Sequence, residues 1–156
     1  MMTDFSDLLL PETVVQGVAA GTKKALLQQL AAMLADIHGL DGKLVADALI
    51  GREKLGSTGF GGGVAIPHGK LAGLPQVIGL FARVAQPVEF QAIDDLPVDL
   101  IFVLLSPPDA GAAHLKALAR VSRRLRDRDF LAKLRGAGSP DALYALFTQD
   151  EARDAA

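Results

Sequence analysis

Leu100-Ile101-Phe102-Val103-Leu104-Leu105, between Asp99 and Ser106, is an uninterrupted apolar run, and none in the chain is longer. Six residues fall far short of the ~20 needed to cross a bilayer. A run this short reads instead as a strand that needs cover on both faces. Outward from it, Val77 to Val84 reads as a second strand and Val64 to Ile66 as a short third, each bounded by Pro or Gly. Val88 to Phe90 is too short to assign, and Val14 to Ala20 is a β-prone stretch ending at Gly21. Between these lie helical patterns. Thr22 is placed to cap a helix with Leu26, Leu27, Leu30, Leu34 and Ile37 on one face and Gly39 at its end. A second helix is expected from Asp41 to Lys54. The C-terminal third reads as three more: Ala112 to Asp127 with Leu115, Leu118, Ser122 and Leu125 as its stripe, Phe130 to Arg135, and Pro140 to Phe147. Ser139 before Pro140 marks the start of the last. Strands interleaved with helices imply an α/β sandwich.

Composition narrows the function. At 156 residues the chain is expected to fold as one domain. Half of the residues are hydrophobic but only 5% are aromatic, so the core is expected to be aliphatic rather than built from stacked rings. Sixteen Lys and Arg against 18 Asp and Glu give a net charge of −2, which with few aromatics argues against nucleic-acid binding. The absence of cysteine removes disulfides, thiolate nucleophiles and Cys-based metal sites. Three histidines without ligand spacing make a metal site unsupported. With no signal peptide in Met1 to Leu10, a cytoplasmic protein is expected.

The densest chemical signal is Gly51 to Lys70, GREKLGSTGFGGGVAIPHGK. Gly56 to Gly63 is expected to be a loop whose backbone N–H groups approach a guest closely, an oxyanion being the natural one. Neither nucleotide-loop pattern fits: Gly62 stands where GxxxxGK[ST] needs Lys, and Val64 where GxGxxG needs its last glycine. No GxSxG elbow supports a hydrolase. His68 follows Val64-Ala65-Ile66-Pro67 at the expected C-terminal end of a strand. By position alone it is either a half-buried turn histidine with a satisfied N–H or a nucleophile able to accept a phosphoryl group.

Arg52-Glu53, Ser57-Thr58-Gly59, Gly63 and Val64-Ala65-Ile66-Pro67-His68 together resemble the active-site signature of the fructose and mannitol type enzyme IIA domains of the bacterial phosphotransferase system. His114, in His-Leu-Lys-Ala-Leu-Ala, adds a second histidine, and the resemblance covers nearly the whole chain. Within that family the sequence is most similar to the nitrogen-regulatory enzyme IIA, through Pro67-His68-Gly69-Lys70-Leu71, Phe90 to Asp94, Pro97 to Leu100 and Leu10-Pro11-Glu12. Phe60-Gly61-Gly62 departs from relatives, which often carry an aliphatic residue and an Asn near there.

The resemblance implies a mixed β-sheet flanked by helices on both faces, of the phosphotransferase/anion transport protein type. It implies one type 2 enzyme IIA domain over residues 1–148, and residues 149–156 read by themselves as a frayed tail. It makes His68 the acceptor of a phosphoryl group from a phosphohistidine carrier of the HPr or NPr kind, with no cofactor. Arg52 and His114 are then its neighbours, and Ser57, Thr58, Gly59, Gly63 and Lys70 are candidates for holding the phosphate. The product would be a phosphorylation-dependent regulator of partners such as kinases or ion transporters, with neither nucleic acid nor membrane insertion involved. The alternative is a sugar-specific enzyme IIA that hands the phosphoryl group to a IIB component. From the residues alone, Arg52 is a solvated charge at a helix end and His114 a first-turn helix residue. Arg120, Arg123, Arg124, Arg126 and Arg128 read as a solvated helix face, with partner docking second.

Overall fold

Where the helices begin and end is dictated by their caps. In a computed structural model, which describes residues 5–149, Thr22 accepts the Ala25 N–H at 3.1 Å and opens α1 (Lys23–His38). Gly39 closes it in the left-handed region at φ 68°, which costs a glycine little. Asp41 accepts from the Lys43 and Leu44 N–H groups and opens α2 (Gly42–Lys54). After α3 (Ala112–Arg124), Asp127 caps α4 (Arg128–Gly136) and Ser139, followed by Pro140, caps α5 (Pro140–Thr148). Each such cap contributes about 1 kcal/mol by satisfying an N–H that has no helical partner. Residues 150–156, most of the expected tail, lie outside the described residues.

Six strands form one sheet: β1 (Val14–Val18), β2 (Gly59–Gly61), β3 (Val64–Ala65), β4 (His68–Lys70), β5 (Ile78–Val88) and β6 (Val98–Ser106). The order is β1-β5-β6-β3-β2, with β4 also on β6. β1 runs parallel to β5, β5 antiparallel to β6, and β3 and β4 both parallel to β6, so the sheet is mixed. Along β6 the side chains alternate. Ile101, Val103 and Leu105 meet α1 and α2 on one face, while Leu100, Phe102 and Leu104 meet α3, α4 and α5 on the other. All six are fully buried. This double cover is what an all-apolar strand requires.

Several expectations need correction. The Gly56 to Gly63 stretch is not all loop, because Gly59–Gly61 pairs antiparallel with β3. The strand at Val77 to Val84 runs on to Val88, taking in part of the segment too short to assign. The stripe expected on α3 holds only in part, at Leu125 and at the half-buried Leu118. Leu115 is 66% exposed, and the buried positions of the helix are Ala117 and Val121, followed by Leu125 just past its end. Both stripes have helical spacing, and the sheet selects the one whose small members allow close approach.

The core is not uniformly aliphatic either. Phe5, Phe81, Phe102, Phe130 and Phe147 cluster on the α3–α5 face with ring centroids 4.7–6.4 Å apart, while the α1–α2 face is largely aliphatic. A low aromatic percentage says nothing about segregation to one side. The arginines in and after α3 are solvated only in part: Arg123, Arg126 and Arg128 are exposed, and Arg120 and Arg124 half-buried. Arg124 stacks on Phe130, Arg120 lies over Phe5 and holds Asp7 with both guanidinium arms, and Arg126 faces Phe60.

Candidate functional site

His68 does not lie at the end of β3 but opens a strand of its own. After β3 the chain skips Ile66-Pro67 and rejoins β6 as β4, with His68 opposite Leu104 and Lys70 opposite Ser106. Pro67 has no N–H to offer, but its carbonyl accepts from Leu104 at 3.0 Å, so the ladder survives the proline. The Ile66 carbonyl lies 2.8 Å from His68 Nδ1. A carbonyl oxygen can only accept, so Nδ1 carries the proton and the neutral ring has its lone pair on Nε2. Nε2 has no hydrogen bond among the described residues, and the side chain is half-buried.

Gly69 makes this placement possible. A Cβ there would stand 3.2 Å from the backbone and side chain of Ala48, so β4 rests directly on α2. Arg52 lies one turn beyond Ala48 on the same helix face. Its Nη1 donates to the Gly56 carbonyl at 3.0 Å, and no other hydrogen bond of its side chain exists among the described residues.

The second histidine arrives from across the sheet edge. β6 ends at Ser106, and after five intervening residues α3 begins, with His114 in its first turn. The rings of His68 and His114 are 5.7 Å apart, centroid to centroid, at 49°. His114 Nδ1 lies 2.6 Å from Ser106 Oγ, a fully buried hydroxyl. Burial first, then the charges of His68 and Lys70, hold the His114 pKa below the usual histidine value. His68, Lys70 and His114 therefore share one electrostatic neighbourhood, with His114 neutral at pH 7.

The remaining candidates belong to the segment before β3, which includes β2, and protein atoms already engage their polar groups. Ser57 Oγ donates to the Phe90 carbonyl at 2.5 Å and accepts the Gly59 N–H. The Thr58 hydroxyl donates to Glu53 Oε2 at 2.6 Å, and its N–H to Oε1 at 2.9 Å. The loop reaches the histidine through backbone: the Thr58 carbonyl accepts the Ile66 N–H, and the Ile66 carbonyl takes His68 Nδ1. Gly59 is backed by Ala92 and Gly63 by Arg135 and Asp99, both too close for a Cβ. The Gly62 N–H, where an oxyanion guest was expected, is taken by the chain's own Asp94 carboxylate at 3.0 Å. That hydrogen bond and one from the Leu96 N–H hold the Asp94 pKa below its usual value. On the other side Arg135 bridges Asp99 and the Gly62 carbonyl.

Sequence reasoning assigned no role to Ser106, Glu53, Asp94 or the Asp99–Arg135 pair. Glu53 carried a signal, because a carboxylate in the last turn of a helix opposes the dipole and needs a specific partner. It has two, Thr58 and Lys23, the latter at 3.1 Å. Nothing local marks Ser106. Among the described residues no group of three or more His, Cys, Asp or Glu side chains is placed to hold a metal ion, and no helix is long and apolar enough to cross a membrane.

Residues 7–150 match the family described as phosphoenolpyruvate-dependent sugar phosphotransferase system, EIIA 2. The chain is 48% identical over 141 residues to the nitrogen regulatory protein of Bradyrhizobium diazoefficiens, covering 90% of this chain and 92% of that one. The crystal structure of nitrogen regulatory protein IIA-Ntr from Neisseria meningitidis is similar with a TM-score of 0.85 at 37% identity, over 91% of this chain and 97% of that one. IIA mannitol from Escherichia coli shares the fold at TM-score 0.75 and 22% identity, over 89% and 98% of the two chains. Agreement over nearly the full length, in sequence and in backbone, means that the chain belongs to the EIIA type 2 family of the phosphotransferase system, in its nitrogen regulatory branch.

Proposed function

We propose that the protein is a phosphocarrier whose His68 Nε2 accepts a phosphoryl group from the phosphohistidine of a carrier protein of the HPr or NPr kind, and that its phosphorylation state regulates partner proteins. The observation that supports this most directly is the 2.8 Å contact of Nδ1 with the Ile66 carbonyl, which leaves the lone pair on Nε2. In the transfer the Nε2 lone pair forms a new N–P bond as the donor's N–P bond breaks, its electron pair remaining on the donor ring. His68 keeps its proton on Nδ1, donated to the Ile66 carbonyl, so no proton need pass between the rings. The reaction needs no cofactor, only positioning and charge.

The arriving group brings close to two negative charges. In this reading Lys70 and the uncommitted guanidinium nitrogens of Arg52 receive them, and His114 donates to a phosphoryl oxygen. Ser57, Thr58, Gly59 and Gly63 form the wall beside the group, shaping it through the bonds described above. The donor docks where the exposed Leu115 stands beside His114, and the site works in one cytoplasmic domain over residues 1–148. Target proteins such as kinases or ion transporters would then read the change from −2 to about −4 in net charge.

Intact mass after incubation with phosphoenolpyruvate, enzyme I and a carrier protein tests this, using wild type and His68→Ala. The expected result is one acid-labile phosphoryl adduct, absent from His68→Ala and formed faster with a nitrogen-branch carrier. Faster labelling by a sugar-branch carrier, with onward transfer to a IIB component, would make the protein a sugar-specific enzyme IIA. No adduct with either active donor would refute the carrier chemistry.

A further inference from the structure

The site contains one buried polar group to which nothing above assigns a task. Ser106 is the last residue of β6, opposite Lys70 in the ladder with the histidine strand, and its carbonyl accepts the Leu71 N–H at 2.9 Å. Its backbone is therefore held to β4, and its side chain has no access to solvent. The hydroxyl has a single hydrogen-bond partner among the described residues, His114 Nδ1 at 2.6 Å. A serine O–H sealed from water needs an acceptor, and Nδ1 is the acceptor within reach. If Nδ1 were the donor instead, the serine proton would be buried with nothing to receive it.

We infer that Ser106 is a positioning residue of the phosphoryl-accepting site: it donates to His114 Nδ1, fixes that ring in the tautomer protonated on Nε2, and so aims an N–H at the group His68 carries. The inference rests on the phosphocarrier reading for its purpose, but not for its geometry. The two histidines are then locked in opposite senses. His68 has its proton on Nδ1 toward Ile66 and its lone pair on Nε2, whereas His114 has its lone pair on Nδ1 toward Ser106 and its proton on Nε2. One ring is set to attack and its neighbour to donate. The low pKa of His114 keeps the donor ring from adding a second proton on Nδ1, where Ser106 binds.

Long-range ¹H–¹⁵N correlation of histidine-labelled protein at pH 7.5 reads directly which nitrogen of each ring carries the proton. Wild type, Ser106→Thr, which keeps the hydroxyl, and Ser106→Ala, which removes it, are compared, with the initial rate of phosphoryl acceptance measured on each. Wild type and Ser106→Thr are expected to show His114 protonated on Nε2 alone. In Ser106→Ala the His114 signals should move to a mixture of tautomers while those of His68 stay unchanged, and acceptance should slow by roughly 10-fold, the lower end of what loss of a histidine-orienting partner costs. The unchanged His68 signature separates a lost orientation from a damaged fold. Wild-type His114 protonated on Nδ1 would overturn the inference whether or not Ser106→Ala folds, and so would a Ser106→Ala variant with the wild-type tautomer and rate. If wild type takes no phosphoryl group from any donor, it is the phosphocarrier reading that fails, since the tautomer measurement needs no donor.

Discussion

Gly63→Ala is the substitution that best tests how the glycine stretch is held. Gly63 has φ +81°, where an L side chain costs about 1–2 kcal/mol in strain. Its Cβ would also stand 2.6 Å from Arg135 Nη2 and 2.8 Å from Asp99 Oδ1. The arginine end is the part that yields, and in yielding it gives up both Asp99 and the Gly62 carbonyl. The ion pair is partly exposed, 38% on the arginine side and 25% on the aspartate side, so screening limits it to about 0.2–1 kcal/mol. The bond to the Gly62 carbonyl adds about 1 kcal/mol. The total expected for Gly63→Ala is about 2–4 kcal/mol, of which only the strain should remain once Arg135 has been replaced by alanine. Urea unfolding of wild type, both single variants and the double variant measures this. A cost below about 1 kcal/mol for Gly63→Ala, or an equal cost with and without Arg135, would refute the account of the clamp.

Three further tests concern charge near the site. The folded His114 pKa lies below the ordinary histidine value of about 6.5, so the unfolded chain takes up the proton first. Stability should therefore fall as pH drops from 7 through 6.5 toward the folded value, and His114→Gln should flatten that part of the urea-midpoint profile; a slope unchanged from wild type would contradict it. Phosphorylation of His68 should move the His114 pKa upward, visible in its NMR titration. Glu53→Gln replaces a carboxylate only 5% exposed that serves Lys23 and two donors of Thr58. A Gln has one acceptor oxygen and adds donors facing donors, so a loss of about 2–4 kcal/mol is expected, softened from the fully buried case because Lys23 keeps some solvent. The Thr58 amide should exchange faster while β6 amides do not; equal protection in both proteins would count against the role of Glu53.

Much of the architecture is written locally. Thr22, Asp41 and Ser139-Pro140 mark helix starts because a capping oxygen acts within three residues, and Gly39 marks an end because it adopts positive φ readily. The apolar run through β6 demands two covered faces whatever packs there. The His68 motif is nearly contiguous, so it too is legible before folding. Other features depend on which surfaces meet. Two stripes on α3 have helical spacing, and only docking on the sheet selects Ala117 and Val121 over Leu115. The five clustered phenylalanines come from positions 5 to 147, and only the sheet order gathers them. The glycine loop invites an anion by its composition, but Asp94, some thirty residues on, supplies the carboxylate at Gly62. Ser106 and His114 are close in sequence, yet their contact needs β6 to end in register with Lys70 before α3 turns back. Caps, periodicity and a contiguous motif act over a few residues and belong to the sequence by itself. The partners of a buried hydroxyl, carboxylate or guanidinium act across the sheet, and the tertiary structure alone decides them, because a buried polar group must find its complement wherever packing places one.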